Sequence, residues 1–150
     1  MATFFRIVQA HWVSTAMAGE GARLYGGRWN PPGIAAVYLA DSRALAALEI
    51  LVNAPREAMS LDWSVIEVEV PDALIGNIKP GDLPSDWQAL PSSQGARAYG
   101  GGWLRTGALA LRLPSAVIPE ESALLLNPRS RDAEKIKTGK PREFRFDPRF

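Results

Sequence analysis

The chain has 150 residues, 47% of them hydrophobic, with 17 basic and 16 acidic side chains giving a net charge of +1, which suits one soluble domain of about 100–200 residues. It has no cysteine and a single histidine, His11, which excludes disulfides and thiolate metal sites and leaves little for a histidine-bound metal or a Ser–His pair. No apolar run reaches the about 18 residues of a membrane span, the N-terminal MATFFRIVQAHW lacks the apolar stretch of a signal peptide, and the balanced charge gives no sign of bulk nucleic-acid binding.

Thr3–Val8 predicts a first strand, with Phe5 and Ile7 on one face and Phe4, Arg6 and Val8 on the other. Residues 14–34, rich in Gly, Ala and Ser and ending in Pro-Pro-Gly, predict a loop. Ala35–Ala40 predicts a short buried strand. Asp41 or Ser42 then caps a helix that runs to about Val52, with Pro55 beyond its end. Trp63–Val70 alternates, placing Ser64, Ile66, Val68 and Val70 opposite Trp63, Val65, Glu67 and Glu69, and Pro71 closes it. A short helical stretch is expected around Gln94–Tyr99, interrupted by Gly100–Gly102. Leu109–Leu113, Ala123–Leu126 and Phe144–Phe146 complete the strands. Strands outnumber helices, and few strand–helix–strand spacings suit a doubly wound sheet. The expected class is α+β, one compact domain over residues 1–150 with a mixed or mostly antiparallel sheet. Residues 129–150 carry eight basic and four acidic side chains, either a solvated surface or a tail for polyanions.

Glu49 stands out in the predicted helix. Leu45, Leu48, Glu49 and Val52 share one stripe, and Glu49 is the single charge between Ala44 and Val52. A helix apolar all round is expected to be buried, where a lone carboxylate is costly unless paired or hydrogen-bonded. Glu49 therefore either reaches solvent at the helix edge or faces a cleft where neighbours set its pKa and orientation.

The segment Gly26–Gly33, GGRWNPPG, predicts an anion-binding loop. Its glycines permit close approach to a ligand, and Arg28 offers a planar fork for phosphate or carboxylate. Trp29 is expected to stack on a base or a nicotinamide ring, or else to anchor the core. Asn30 is placed to donate to a ribose or carbonyl. Arg6 is either an edge-strand charge or a second anion contact. Tyr38 points away from Val37 and Leu39, and Ser115 follows Pro114 at a strand end facing a cleft.

Taken in order, FRIV, GEGARLYGGRWNPPGIAAVYLADS, ALAALEILV, IEVEVP, LPSDW, LRLPSAVIPEESALLLNP and FDPRF resemble the RES domain family along nearly the whole chain. The resemblance implies a fold similar to ADP-ribosyltransferases, with Arg6, Arg28, Tyr38, Glu49 and Ser115 around an NAD+ cleft. It implies catalytic roles for Arg28, Tyr38, Glu49 and Ser115, with Arg6, Trp29 and Asn30 binding substrate and no metal. It further implies the toxin of a type II toxin–antitoxin pair that depletes NAD+ by phosphorolysis or hydrolysis of the nicotinamide–ribose bond. The alternatives are mono-ADP-ribosylation of a protein and a non-catalytic nucleotide-binding module. NAD+ enters as substrate, with inorganic phosphate as a candidate co-substrate and no resident cofactor. The implied partner is a helix-turn-helix antitoxin of the Xre type. The protein is expected in the cytoplasm, away from membranes and without direct nucleic-acid binding, and a homodimer is compatible with it. The chain departs from the family pattern at Ser130, Gly101 and Phe150, none of them a named site residue.

Overall fold

Two long alternating strands form the centre of the molecule: β1 (Ala2–Gln9) and β3 (Trp63–Val70). They pair antiparallel over their full length, from Ala2 opposite Val70 to Gln9 opposite Trp63. Alternation sends Phe4, Val8, Ile66, Val68 and Val70 to one face and Ile7, Trp63 and Val65 to the other. Both faces carry buried apolar side chains, although Thr3, Gln9, Glu67 and Glu69 share the second face with Ile7, Trp63 and Val65. The computed structural model that shows this describes residues 1–150 apart from the side chain of Pro80.

The remaining strands are β2 (Val37–Ala40), β4 (Ile75–Asn77), β5 (Ala110–Pro114), β6 (Ser122–Leu126), β7 (Lys137–Thr138) and β8 (Arg142–Phe144). They extend the sheet in the order β4-β5-β6-β2-β1-β3-β7, and β8 also pairs with β3. Every pairing is antiparallel except β4 with β5. The α+β class and the mixed, mostly antiparallel sheet are thus observed. The pairing of β1 with β2 is brief, with the single register pair Phe5 and Ala40.

One face of the sheet packs against the turn at Ala10–Thr15, Met17, Leu74 and the segment near Ala133 and Ile136. The other carries two helices. Helix α2 (Arg43–Asn53) lies over Ile7, Ala40 and Trp63. Helix α3 (Gln94–Arg105) and Trp29 lie over Leu111, Leu113 and Leu125. Ser42 caps α2, its Oγ accepting from the Leu45 N–H at 3.0 Å. Ser93 does the same for α3 with the Ala96 N–H at 3.0 Å. No helix among the described residues is long and apolar enough to cross a membrane.

Three local expectations are corrected. The segment taken as loop contains a helix, α1 (Glu20–Tyr25), which ends at Gly26 with φ 76°. The last strand is Arg142–Phe144 rather than Phe144–Phe146, because Trp63–Val65 of β3 set its register. The glycine triplet does not interrupt its helix, since α3 runs through it to Arg105. At Gly100 a Cβ would stand 1.8 Å from the carbonyl oxygen of Trp29. The glycine is there to let α3 touch the backbone of the Gly26–Gly33 loop.

Candidate active site

The Gly26–Gly33 loop folds back on itself, the Gly27 N–H donating to the Asn30 carbonyl at 2.9 Å. This turn sends neighbouring side chains opposite ways. Trp29 goes inward and is 2% exposed, with Trp87 stacked at 6.2 Å and Tyr99 edge-on at 6.2 Å between ring centres. Asn30 is 0% exposed. Its amide nitrogen donates to the carbonyls of Ala22, Pro31 and Ile34 at 2.9, 3.1 and 2.9 Å. Its Oδ1 accepts from the Tyr38 hydroxyl at 2.6 Å, and that hydroxyl in turn accepts from the Trp29 N–H at 3.0 Å. The substrate contacts expected of Trp29 and Asn30 are corrected here: an enclosed indole and a saturated amide have no surface left for a ligand. They shape the loop.

Arg28 leaves the turn on the other side. Its Nη1 donates to the carbonyls of Trp87 and Ala89 at 2.8 and 3.0 Å. Among the described residues its Nε and Nη2 have no protein acceptor, and it makes no ion pair. Gly27 beneath it leaves no room for a side chain, because a Cβ there would meet the Tyr38 hydroxyl at 2.7 Å.

Glu49 projects from the flank of α2. Leu45 and Ala46 are the buried residues of that helix, while Val52 is 61% exposed. The expectation of an all-round buried helix is therefore corrected: α2 lies on the sheet with one side in solvent, and Glu49 is half-buried between the two regimes. Glu49 Oε1 accepts from Ser115 Oγ at 3.0 Å. Ser115 is 1% exposed, and its Oγ also accepts from the N–H groups of Val117 and Ile118 at 3.1 and 3.2 Å. Ser115 faces the carboxylate rather than open space. Its hydroxyl can donate to one acceptor, and the two N–H groups leave its proton for Glu49.

Burial pushes the Glu49 carboxyl above its ordinary range, while the Ser115 hydrogen bond and the charge of Arg28 pull it back. Burial also pushes the Tyr38 phenol far above its ordinary value, against the pull of the Trp29 N–H and of Arg97 and Arg28. Tyr38 therefore stays neutral and acts as a hydrogen-bonding hub, not as a base.

A cavity of about 300 Å³ opens between α2 and the sheet, with Tyr38 and Glu49 in its wall beside Phe5, Ile7, Ile50 and Trp63. Tyr38 of β2 and Glu49 of α2 share this wall, Ser115 joins them through its hydrogen bond to Glu49, and the charge of Arg28 acts on both Tyr38 and Glu49. The sheet does not bring Arg6 there by the expected route. β1 is a central strand, which removes the edge-exposure reading, and Arg6 shares the face of Phe4 and Val8, opposite α2. Its Nε donates to the Ala16 carbonyl at 2.8 Å and its Nη1 to the Tyr38 carbonyl at 3.0 Å, where β1 and β2 have parted. Arg6 braces the strand that carries Tyr38. Arg97, on α3, carries a second charge that acts on the Tyr38 hydroxyl; in the sequence an arginine on a helix reads as an ordinary solvated one.

The RES domain family model matches residues 3–147. The Prs ADP-ribosylating toxin of Sphingobium sp. (strain YBL2) is 42% identical over 138 residues, which cover 89% of this chain and 86% of that one. Toxin Res of Yersinia enterocolitica is 37% identical over 148 residues, covering 97% of each chain. The NAD(+) phosphorylase MbcT of Mycobacterium tuberculosis is 49% identical over 49 residues, 32% of this chain and 25% of that one. The crystal structure of the M. tuberculosis MbcT–MbcA toxin–antitoxin complex superposes with a TM-score of 0.77 at 23% identity, covering 96% of this chain and 84% of that one.

Proposed function

The chain belongs to the RES domain family, and on that premise we propose that it is the toxin of a toxin–antitoxin pair, an enzyme that cleaves the nicotinamide–ribose bond of NAD+. The relatives named as toxins support the first half of this reading. The relative named as an NAD(+) phosphorylase supports the second. The observation that carries it is Glu49, a carboxylate held at 3.0 Å by a buried serine in the wall of a cavity.

Breaking this bond builds positive charge on the ribose while nicotinamide leaves neutral, so no general acid is needed. What the reaction needs is a fixed negative charge beside the ribose and a nucleophile at its C1. Glu49 supplies the charge. Ser115 is a positioning residue, orienting the carboxylate and favouring its ionised form. Arg28, with Nε and Nη2 open, faces the diphosphate or a free phosphate. Tyr38 fixes the loop that carries Arg28, and Arg6 fixes the strand that carries Tyr38. The cavity lies at the small end of ligand sites, about 300–1,000 Å³, and suits the nicotinamide riboside end of a dinucleotide. The nucleophile is phosphate or water, and a helix-turn-helix antitoxin that covers the cleft is the fitting partner.

Incubating the protein with NAD+, with and without phosphate, separates the routes. Phosphorolysis gives nicotinamide and an ADP-ribose phosphate, and hydrolysis gives free ADP-ribose. The name of the 42% identical relative favours a second reading, transfer of ADP-ribose to a protein, which leaves label from NAD+ on a polypeptide. NAD+ that survives intact with all three acceptors sinks both.

Ser115→Ala tests the role of the hydroxyl. Its hydrogen bond lowers the Glu49 pKa, so its loss raises that pKa further and leaves less carboxylate at low pH. The acidic limb of the kcat/KM profile moves to higher pH, with a loss of about tenfold on that limb and little change at alkaline pH. A uniform loss at every pH would show that Ser115 acts on something other than the ionisation of Glu49.

A further inference from the structure

Five arginines are half-buried: Arg6, Arg23, Arg28, Arg97 and Arg112. Arg23 and Arg112 are answered by Glu20 and Asp41 at 2.6 and 3.0 Å. Arg6 and Arg28 each donate to two backbone carbonyls. Arg97 has neither a carboxylate nor a carbonyl. Its one side-chain hydrogen bond among the described residues is to Ser92 Oγ, 3.5 Å from Nη2, the outer limit for such a bond. Its Nε is fully buried with no acceptor, alone in this among the described side chains. A fold seldom leaves an N–H in that state without a reason.

The place of Arg97 supplies the reason. Arg28 reaches the segment just before α3 through the carbonyls of Trp87 and Ala89, and Arg97 meets the same segment at Ser92. The loop that carries Arg28 and the helix that carries Arg97 pack together over Leu111, Leu113 and Leu125, on the face of the sheet that also carries α2. Asp86, exposed near the start of α3, forms an ion pair with neither. Two arginines thus border one segment, 87–92, and among the described residues neither is ion-paired. Such a pair fits an anion with several oxygens.

We propose that Arg97 is a second anion-binding arm of the site, which grips the diphosphate of the substrate together with Arg28. The role as a substrate arm rests on the NAD+ reading above, whereas the capture of a diphosphate does not. Arg97 stays poorly paired in the free protein because its partner arrives with the ligand. The chemistry recognised is a diphosphate ester, and Arg97 sets KM rather than the bond-breaking step.

The test uses the whole chain, the variants Arg97→Gln and Arg97→Lys, and inorganic pyrophosphate as probe. Without ligand, Arg97→Gln melts no lower than the parent, because the one bond lost, to Ser92 Oγ at 3.5 Å, is at the outer limit of a hydrogen bond; a structural arginine would lower Tm. Pyrophosphate raises the Tm of the parent, the rise disappears in Arg97→Gln, and Arg97→Lys keeps part of it. In turnover, the KM for NAD+ rises about 10–100-fold in Arg97→Gln with kcat within about threefold. An equal Tm rise in parent and Arg97→Gln, no rise in the parent, or a kcat loss at unchanged KM overturns the proposal. Failure of the parent to consume NAD+ overturns the substrate-arm role through the functional reading alone, and the pyrophosphate arm still decides whether Arg97 binds the anion.

Discussion

Glu49→Gln is expected to lower NAD+ consumption about 10²–10³-fold, the usual cost of removing a positioned electrostatic group from a transition state. The substitution keeps the side chain's size, and Ser115 Oγ, 3.0 Å from Oε1, still has an oxygen to donate to. What disappears is the charge beside the ribose. The stability consequence has the opposite sign to a damaged fold. Folding raises the Glu49 pKa through burial, so the protonated carboxyl is the form the fold prefers. That contribution is fully present below the ordinary glutamate value of about 4.3 and is lost as pH rises through the folded value. At pH 7 the parent bears the cost of a half-buried charge and the variant does not. Turnover should collapse while Tm at pH 7 stays level or rises. A variant that keeps its rate would remove Glu49 from the chemistry, and one that melts well below the parent would show a structural role instead.

Gly100→Ala should be the most damaging small change in the chain. The new Cβ would lie 1.8 Å from the Trp29 carbonyl oxygen and 2.7 Å from its carbon, both backbone atoms with no rotamer to turn. Helix α3 must move off the loop, and Trp29 then loses its packing on Tyr99 at 6.2 Å. Overpacking of this kind costs about 1–3 kcal/mol or more. In a domain of this size that corresponds to a fall in Tm of about 2–12 °C. Gly102→Ala, two residues along the same helix, meets nothing within 4 Å and should gain about 0.5–1 kcal/mol from helix propensity. The pair is read by thermal melting. Similar shifts in both variants would mean that propensity, not the Trp29 contact, governs this helix. Activity should fall with stability in Gly100→Ala, because Arg28 precedes Trp29 directly.

These two residues also mark how far the sequence could be read. β1, β3 and α2 were legible because their signals are local: strict alternation in Trp63–Val70, and a serine cap before an apolar stripe at Ser42. β4 and β7 were not, since strands of three and two residues exist only through partners distant in the chain. The glycine triplet reads as an interruption because glycine is a poor helix former on its own, and only the close approach of Trp29 to Gly100 and of Pro31 to Gly101 accounts for two of the three; Gly102 meets nothing. Glu49 was found for a reason that proved incomplete. It is the lone charge of its helix, yet α2 is half in solvent, and the serine beside it is what makes the site. Trp29 and Asn30 have side chains that suit a ligand and a core equally well, and burial decided between them. The family pattern named Ser115 and Arg6, while their geometry, one gripping a carboxylate and the other a parted strand, was nowhere in the order of residues.

The bond between Glu49 and Ser115 spans 66 residues, and that span also sets a delay during synthesis. At about 5–20 residues per second, the serine is made about 3–13 s after the glutamate. β6, which links β5 to β2, follows later still. A nascent chain therefore holds Arg28, Tyr38 and Glu49 well before it holds the hydroxyl and the strand that fix their geometry.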